Sequence, residues 1–99
     1  MLNGIYEAEN NDSYLDRYRI RIQVRETERS YVLQLIEFDS RYGAGQIESL
    51  FATSKRVVLR KNKSGHAMRV WSDEDFTLYP YQAGVPFYFT KIKKEVAQL

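Results

Sequence analysis

The chain contains no cysteine, and that absence excludes several classes of protein at once. Without cysteine there is no disulfide framework, no thiolate nucleophile, and no cysteine-ligated zinc or iron–sulfur site. Histidine is almost as scarce, because His66 is the one histidine among the 99 residues. One histidine cannot build a histidine-rich metal site, so we expect neither a bound metal nor a cofactor.

Long apolar stretches are absent too. Runs such as Val57-Val58-Leu59 cover only a few residues, whereas a helix that spans a bilayer needs about 20. The beginning of the chain, MLNGIYEAENND, carries neither the basic start nor the apolar stretch of a secretory signal. The sequence therefore predicts a soluble, cytoplasmic protein that does not enter a membrane.

The chain does contain many aromatic residues, and its charge is nearly balanced. Eight Tyr, five Phe and one Trp accompany a net charge of +2, whereas disordered chains have few aromatics and a high net charge. A chain of 11.7 kDa is expected to bury about 65% of its unfolded surface, which suffices for one core but not for two. We therefore predict a single domain over residues 1–99, with a frayed tail at 93–99.

Alternation of apolar and polar residues predicts the strands. It is clearest over residues 17–25, and a second strand follows at 31–39. Placing Glu37 and Asp39 opposite two arginines of the first strand favours a loop of odd length. This register gives an apolar face made of Tyr18, Ile20, Ile22, Val24, Val32, Ile36 and Phe38.

A short helix is predicted at residues 46–53, where the apolar residues from Ile47 to Phe51 follow helical spacing. The strand register leaves Leu33 and Leu35 on the arginine face, and the helix is their expected cover. Further strands are expected at residues 5–9, 56–61, 66–71, 76–81 and 86–92. Together these elements predict a mainly β (α+β) fold, either a small antiparallel sheet or a partly open barrel such as an OB-like or SH3-like roll.

Charge is distributed unevenly along the chain, because residues 49–72 contain six basic residues and no acid. We expect the strands at 56–61 and 66–71 to form a hairpin with three arginines and one tryptophan on a single face. Such a face can hold a phosphate backbone and stack a base. The sequence thus favours a module that binds nucleic acid or another polyanion through Arg56, Arg60, Lys61, Lys63, Arg69 and Trp71.

Other roles for these basic residues stay open. Basic side chains on an exposed hairpin also serve solubility and discourage strand aggregation, and Trp71 could fill a second core with Arg56 stacked on it. A separate arginine stripe, on the strand at 17–25, is expected to be a solvated face of weak salt bridges. Its expected partners are Glu7, Glu9, Glu37 and Asp39.

The end of the chain concentrates aromatic residues. Strand alternation separates Tyr88 from Phe87 and Phe89, so that one set belongs to the core and the other is exposed. Because Pro80 and Pro86 suit edge positions, we expect an edge strand here and a homodimer through it. The alternative function is a protein-interaction module, an adaptor or inhibitor of the kind common among phage and mobile-element accessory proteins, with contacts from Tyr79, Tyr81, Phe87 and Tyr88.

The sequence shows no catalytic constellation. Its one concentration of acids, at residues 73–75, has the composition of a polar turn, and His66 lies at an expected hairpin tip without a partner. The Gly-Ala-Gly at residues 43–45 lacks the Lys-Ser/Thr ending of a phosphate loop. We therefore predict a protein that is not an enzyme. A barrel around a small apolar ligand is a further alternative, although 99 residues leave little interior.

Overall fold

The computed structural model describes residues 1–11, 17–41, 43–61, 67–80 and 85–92. In this part of the chain the expected strands and helix are all present, with ends that differ by at most three residues. The expected turn at 62–65 and tail at 93–99 lie outside the described residues. The elements are β1 (Asn3–Asn10), β2 (Tyr18–Glu26), β3 (Ser30–Ser40), α1 (Gly45–Leu50), β4 (Arg56–Arg60), β5 (Ala67–Ser72), β6 (Asp75–Tyr79) and β7 (Phe87–Lys91).

The seven strands of the described residues form one antiparallel sheet in the order β4-β3-β2-β1-β7-β6-β5. The sheet is curled into a half-barrel. A flat sheet of this size would separate its edges by about 29 Å, whereas the chain from Lys61 to Ala67 reaches at most about 22 Å. The predicted mainly β fold, a partly open barrel with one short helix, is therefore confirmed.

The expected hairpin of residues 56–71 does not form. β4 pairs with β3, where Leu33 lies opposite Val57, and β5 pairs with β6, where Met68 lies opposite Leu78. β4 and β5 are the two edges of the sheet, and they run in the same direction because every neighbouring pair between them is antiparallel. Alternation predicts each strand correctly, but it does not encode which strand becomes the ladder partner.

The apolar core lies on the concave side of the sheet. Phe76 and Phe89 stack with their ring centroids 5.1 Å apart, and Tyr6 meets Phe76 edge-on at 5.2 Å. Tyr6 donates its hydroxyl hydrogen to the carbonyl oxygen of Asp73 at 2.7 Å, so this buried polar group is satisfied. Burial raises the pKa of Tyr6 above its ordinary value of 10.0.

Helix α1 packs against this core. Ile47 is fully buried, and Phe51, which follows the helix, is buried in the same cluster as Leu33. The expectation that the helix covers the arginine face is therefore wrong. The helix packs on the concave side because Leu33 and Leu35 face that side.

A β-bulge between β2 and β3 decides which residues of β3 face the core. Arg21 pairs with Glu37 as expected, but the next residue, Ile22, pairs with Leu35, so Ile36 is the extra residue. A change of register by one residue turns every following side chain to the other face of the strand.

The bulge reverses four expected positions on β3. Leu33 is fully buried and Leu35 packs against the core, although both were expected on the arginine face. Ile36 is 49% exposed, and Val32 lies beside Arg25 rather than in the core. Both registers place apolar residues on each side of the strand, which is why the pattern of the sequence does not distinguish them.

The C-terminal strand β7 lies between β1 and β6, so the expectation of an edge strand at this position is wrong. The predicted alternation is confirmed, because Phe87 and Phe89 are fully buried while Tyr88 is exposed. Pro80 and Pro86 lie just outside the ends of β6 and β7, where proline costs no ladder hydrogen bond. Among the described residues, no helix has the length and apolarity to cross a membrane.

Candidate functional site

One half of the arginine stripe on the convex side of the sheet is neutralised. Glu7, Arg21 and Glu37 lie opposite one another on β1, β2 and β3. The Nε atom of Arg21 lies 3.4 Å from Glu7 and 3.7 Å from Glu37, and Arg19 lies 4.0 Å from the same two carboxylates. This half of the stripe is the salt-bridged face that the sequence predicts.

The other half of the convex side carries arginines without such partners. We define the basic face as Arg25 on β2 together with Arg56 and Arg60 on the edge strand β4. All three are exposed, and no carboxylate of the described residues lies within salt-bridge distance of their guanidinium groups. Their cross-strand neighbours are uncharged, because Arg56 lies opposite Gln34 and Arg25 opposite Val32.

Glu26 is the acid next to Arg25 in the chain, and it is engaged elsewhere. Its carboxylate accepts hydrogen bonds from Lys61 Nζ at 2.7 Å and from the Leu2 amide at 2.8 Å. Burial alone would raise the pKa of Glu26, but the hydrogen bonds outweigh burial and hold the pKa below its ordinary value of 4.5. Lys61 also lies 5.2 Å from the Tyr31 ring centroid, so its charge is compensated and we leave it out of the basic face.

Two arginines of the basic face, Arg25 and Arg56, line a shallow depression of about 170 Å³. Arg56 and Arg60 are four residues apart on β4, which separates their Cα atoms by about 13 Å. Arg25 lies on β2, and β2 is about 10 Å from β4 because β3 lies between them. The charges are therefore spread over a surface rather than gathered at one point. The depression is lined by Asn3, Gln23, Arg25, Val32, Gln34 and Arg56.

The remaining basic candidate and the tryptophan lie on the opposite edge strand, β5. The guanidinium carbon of Arg69 is 4.8 Å from the Trp71 ring centroid, and the indole N–H donates to Thr77 Oγ1 at 3.0 Å. Trp71 is 54% exposed, so it does not fill a second core, and its cationic neighbour is Arg69 rather than Arg56. The structure thus divides the predicted nucleic-acid site into two pairs on two edges, and Lys63 lies outside the described residues.

Tyr88, a candidate of the alternative function, lies beside the second pair. Arg69, Thr77 and Tyr88 are in register across β5, β6 and β7, and the Tyr88 hydroxyl donates to Asp75. We define the aromatic patch as Arg69, Trp71 and Tyr88. Of the other aromatic candidates, Phe87 is fully buried and Tyr79 half-buried, while Tyr81 lies outside the described residues.

The sequence pattern places Arg25 in the salt-bridged stripe, whereas no carboxylate of the described residues pairs with it in the structure. The relevant signal is in β1, whose outward residues are Asn3, Ile5, Glu7 and Glu9. Only the last two are acidic, and Asn3 is the residue that lies opposite Arg25. The register of β1 against β2 therefore distinguishes the neutralised Arg21 from Arg25.

Metal ligation and similarity to known proteins give no further indication of function. Within the described ranges, no group of three or more His, Asp or Glu side chains is placed to hold a metal ion. No family model, curated protein or solved structure matches the chain. The basic face and the aromatic patch are therefore the two candidate sites.

Proposed function

We propose that this protein is a non-catalytic binding module whose basic face contacts the phosphate backbone of nucleic acid or a similar polyanion in the cytoplasm. One observation carries the proposal. Arg25, Arg56 and Arg60 have no carboxylate partner among the described residues, whereas Arg19 and Arg21, on the same side of the sheet, are bracketed by two glutamates. Unpaired guanidinium groups remain available to an external anion.

The chemistry of the basic face suits a chain of phosphates. Guanidinium groups donate two parallel hydrogen bonds to a phosphate, and the amides of Gln23 and Gln34 line the same depression as Arg25 and Arg56, where they can act as neutral donors. Charges spread over about 13 Å by about 10 Å fit an extended row of anionic groups better than one small anion. No aromatic ring lies among the lining residues, so we expect contacts to the backbone and little dependence on base sequence.

An alternative explanation is that these arginines protect an exposed edge strand from aggregation. That role accounts for Arg56 and Arg60 on β4. It does not account for Arg25, which lies on β2, two strands away from the edge. Binding accounts for all three residues, and we therefore favour it.

The proposal is tested by fluorescence anisotropy with labelled single-stranded and duplex oligonucleotides at about 50 and about 200 mM salt. With three phosphate contacts, the affinity is expected to fall about 20- to 40-fold over that range. Arg56→Glu with Arg60→Glu should abolish measurable binding. Arg17→Glu with Arg41→Glu is the matched control, because it makes the same change of charge at exposed residues away from the basic face. Equal losses in both double variants, or no binding by the wild type at low salt, would refute the proposal.

Contact with a protein partner is the second candidate function. It is favoured by one observation, the exposure of Tyr88 beside Trp71 on the convex side of the sheet. Phe87 cannot take part because it is fully buried.

A further inference from the structure

The aromatic patch exposes ring surface to water, although neither ring needs water for its polar group. Trp71 and Tyr88 are 54% and 53% exposed. A tryptophan or tyrosine often lies at a surface because its polar end requires water. Here the polar ends are satisfied inside the protein, since the indole N–H donates to Thr77 and the Tyr88 hydroxyl donates to Asp75.

The same hydrogen bonds hold the two rings in place before any partner arrives. Asp75 also accepts a hydrogen bond from Ser72 at 2.6 Å. Hydrogen bonds from Ser72 and Tyr88 lower the pKa of Asp75. The hydrogen bond that Tyr88 donates to Asp75 raises the pKa of Tyr88. At neutral pH the contact therefore joins a carboxylate and a phenol. A side chain that is already fixed loses little entropy on binding, and Trp, Tyr and Arg are the residues that most often dominate interfaces.

Charges of opposite sign lie on either side of Trp71 along the chain. Along β5, Arg69 precedes Trp71 and its guanidinium group lies over the indole ring, while the acidic turn of Asp73, Glu74 and Asp75 follows Trp71. Part of this negative charge is compensated, because Asp73 contacts the Met1 ammonium group at 2.7 Å. Carboxylates beside the exposed indole repel a phosphate backbone at this position. The aromatic patch therefore suits a protein partner better than a nucleic acid.

We propose that the partner of the aromatic patch is a second copy of this chain, related by a two-fold axis close to Trp71. In a two-fold contact each end of a surface meets the opposite end of the same surface on the partner. Arg69 of each copy therefore lies against the acidic turn of the other, and the exposed rings of Trp71 and Tyr88 cover one another between them. A surface with one sign of charge at both ends would repel its own copy instead.

Side-chain contact, rather than extension of the sheet, is the expected mode. β5 is an edge strand, but its register against β6 is interrupted between Val70 and Ser72, and a bulge of this kind hinders regular strand addition. The basic face lies on β2 and β4, toward the opposite edge of the sheet. Self-association and binding of a polyanion are therefore independent of each other.

Sedimentation equilibrium from about 1 µM to about 1 mM protein tests the proposal, a range that detects even weak dimers. The wild type should show a reversible monomer–dimer equilibrium. Trp71→Ala should raise the dimer dissociation constant about tenfold or more, while Val58→Ala, which truncates an equally exposed apolar side chain on β4, should leave it unchanged. A monomer throughout, or equal effects of both variants, would overturn the proposal.

A charge exchange tests the two-fold geometry specifically. Arg69→Glu and Glu74→Lys should each weaken the dimer alone, because each places like charges opposite one another across the axis. Mixing the two variants should restore association, since both contacts are attractive in the mixed dimer. Failure of the mixture to associate more strongly than either variant would contradict the two-fold arrangement. Circular dichroism of each variant checks that it remains folded.

The outcome for nucleic acid is separable from the outcome for the dimer. Arg56→Glu with Arg60→Glu should leave the dimer intact, and Trp71→Ala should leave oligonucleotide binding intact. If Trp71→Ala instead abolishes oligonucleotide binding while the Arg56 and Arg60 variant retains it, the aromatic patch binds nucleic acid and the self-association proposal fails.

Discussion

Two halves of one sheet surface differ in what surrounds their arginines. In one half, Arg19 and Arg21 lie between Glu7 and Glu37. In the other, Arg25 lies between Asn3 and Val32. The neighbouring strands, not the number of arginines, decide whether a charge is satisfied within the protein or available to a partner.

The boundary between the two halves coincides with the β-bulge of β3. On one side of it, Arg21 pairs with Glu37, and on the other side Ile22 pairs with Leu35. The bulge lets acidic residues face the convex side in one half and apolar and amide residues face it in the other. A uniform register would have placed Leu33 beside Arg25.

The first prediction concerns the bulge itself. Leu33→Ala should destabilise the protein by about 2–5 kcal/mol because it leaves a cavity in the core. Ile36→Ala, at the half-exposed extra residue, should cost less than about 1 kcal/mol. Urea denaturation of both variants measures their free energies of unfolding. The uniform register expected from the sequence places Ile36 in the core instead, so a large loss of stability in Ile36→Ala would contradict the bulge.

The second prediction concerns the acid that is kept away from the basic face. Glu26→Gln should destabilise the protein by about 1–2 kcal/mol at pH 7, because it weakens the hydrogen bonds to Lys61 and Leu2. The folded-state pKa of Glu26 is lowered, so its contribution is present above pH 4.5 and is lost as the pH falls through the lowered value. Denaturation curves between pH 7 and pH 3 should therefore converge for wild type and variant. A difference that stays constant with pH would argue against the ion pair.

The third prediction transfers the neutralised pattern to the basic face. Asn3→Glu places a carboxylate opposite Arg25, as Glu7 lies opposite Arg21. The loss of one phosphate contact should weaken oligonucleotide binding about five- to eightfold at about 100 mM salt. Asn3→Gln is the uncharged control and should bind like the wild type. Equal affinities of both variants would show that Arg25 makes no contact.

The fourth prediction removes the carboxylates from the neutralised half of the sheet surface. Glu7→Gln with Glu37→Gln releases Arg19 and Arg21, and oligonucleotide affinity should rise less than about fivefold because these arginines lie outside the basic face. Thermal stability should change by less than about 1 kcal/mol, as for other exposed ion pairs. Anisotropy titration and thermal denaturation measure the two effects. A large loss of stability would mean that the glutamates serve the fold rather than charge neutralisation.

Much of the fold follows from the sequence because its signals are local. Alternation marks the strands, the spacing from Ile47 marks the helix, and charge places Arg21 opposite Glu37. The bulge at Ile36 does not follow, because β3 carries apolar residues on both sides of the strand. The separation of Arg56 from Arg69 does not follow either, because pairing between strands depends on packing across the whole sheet. The candidate site could be predicted only in part for the same reason.

The salt dependence of oligonucleotide binding shows whether the arginines of the basic face contact phosphates. The slope of the logarithm of the association constant against the logarithm of salt concentration reports the number of phosphate contacts. For the three arginines of the basic face, we expect a slope of about −2 to −3 in the wild type and close to zero after Arg25, Arg56 and Arg60 are all changed to Gln. A slope that survives the triple change, or a wild type without salt dependence, would show that these arginines do not bind phosphates.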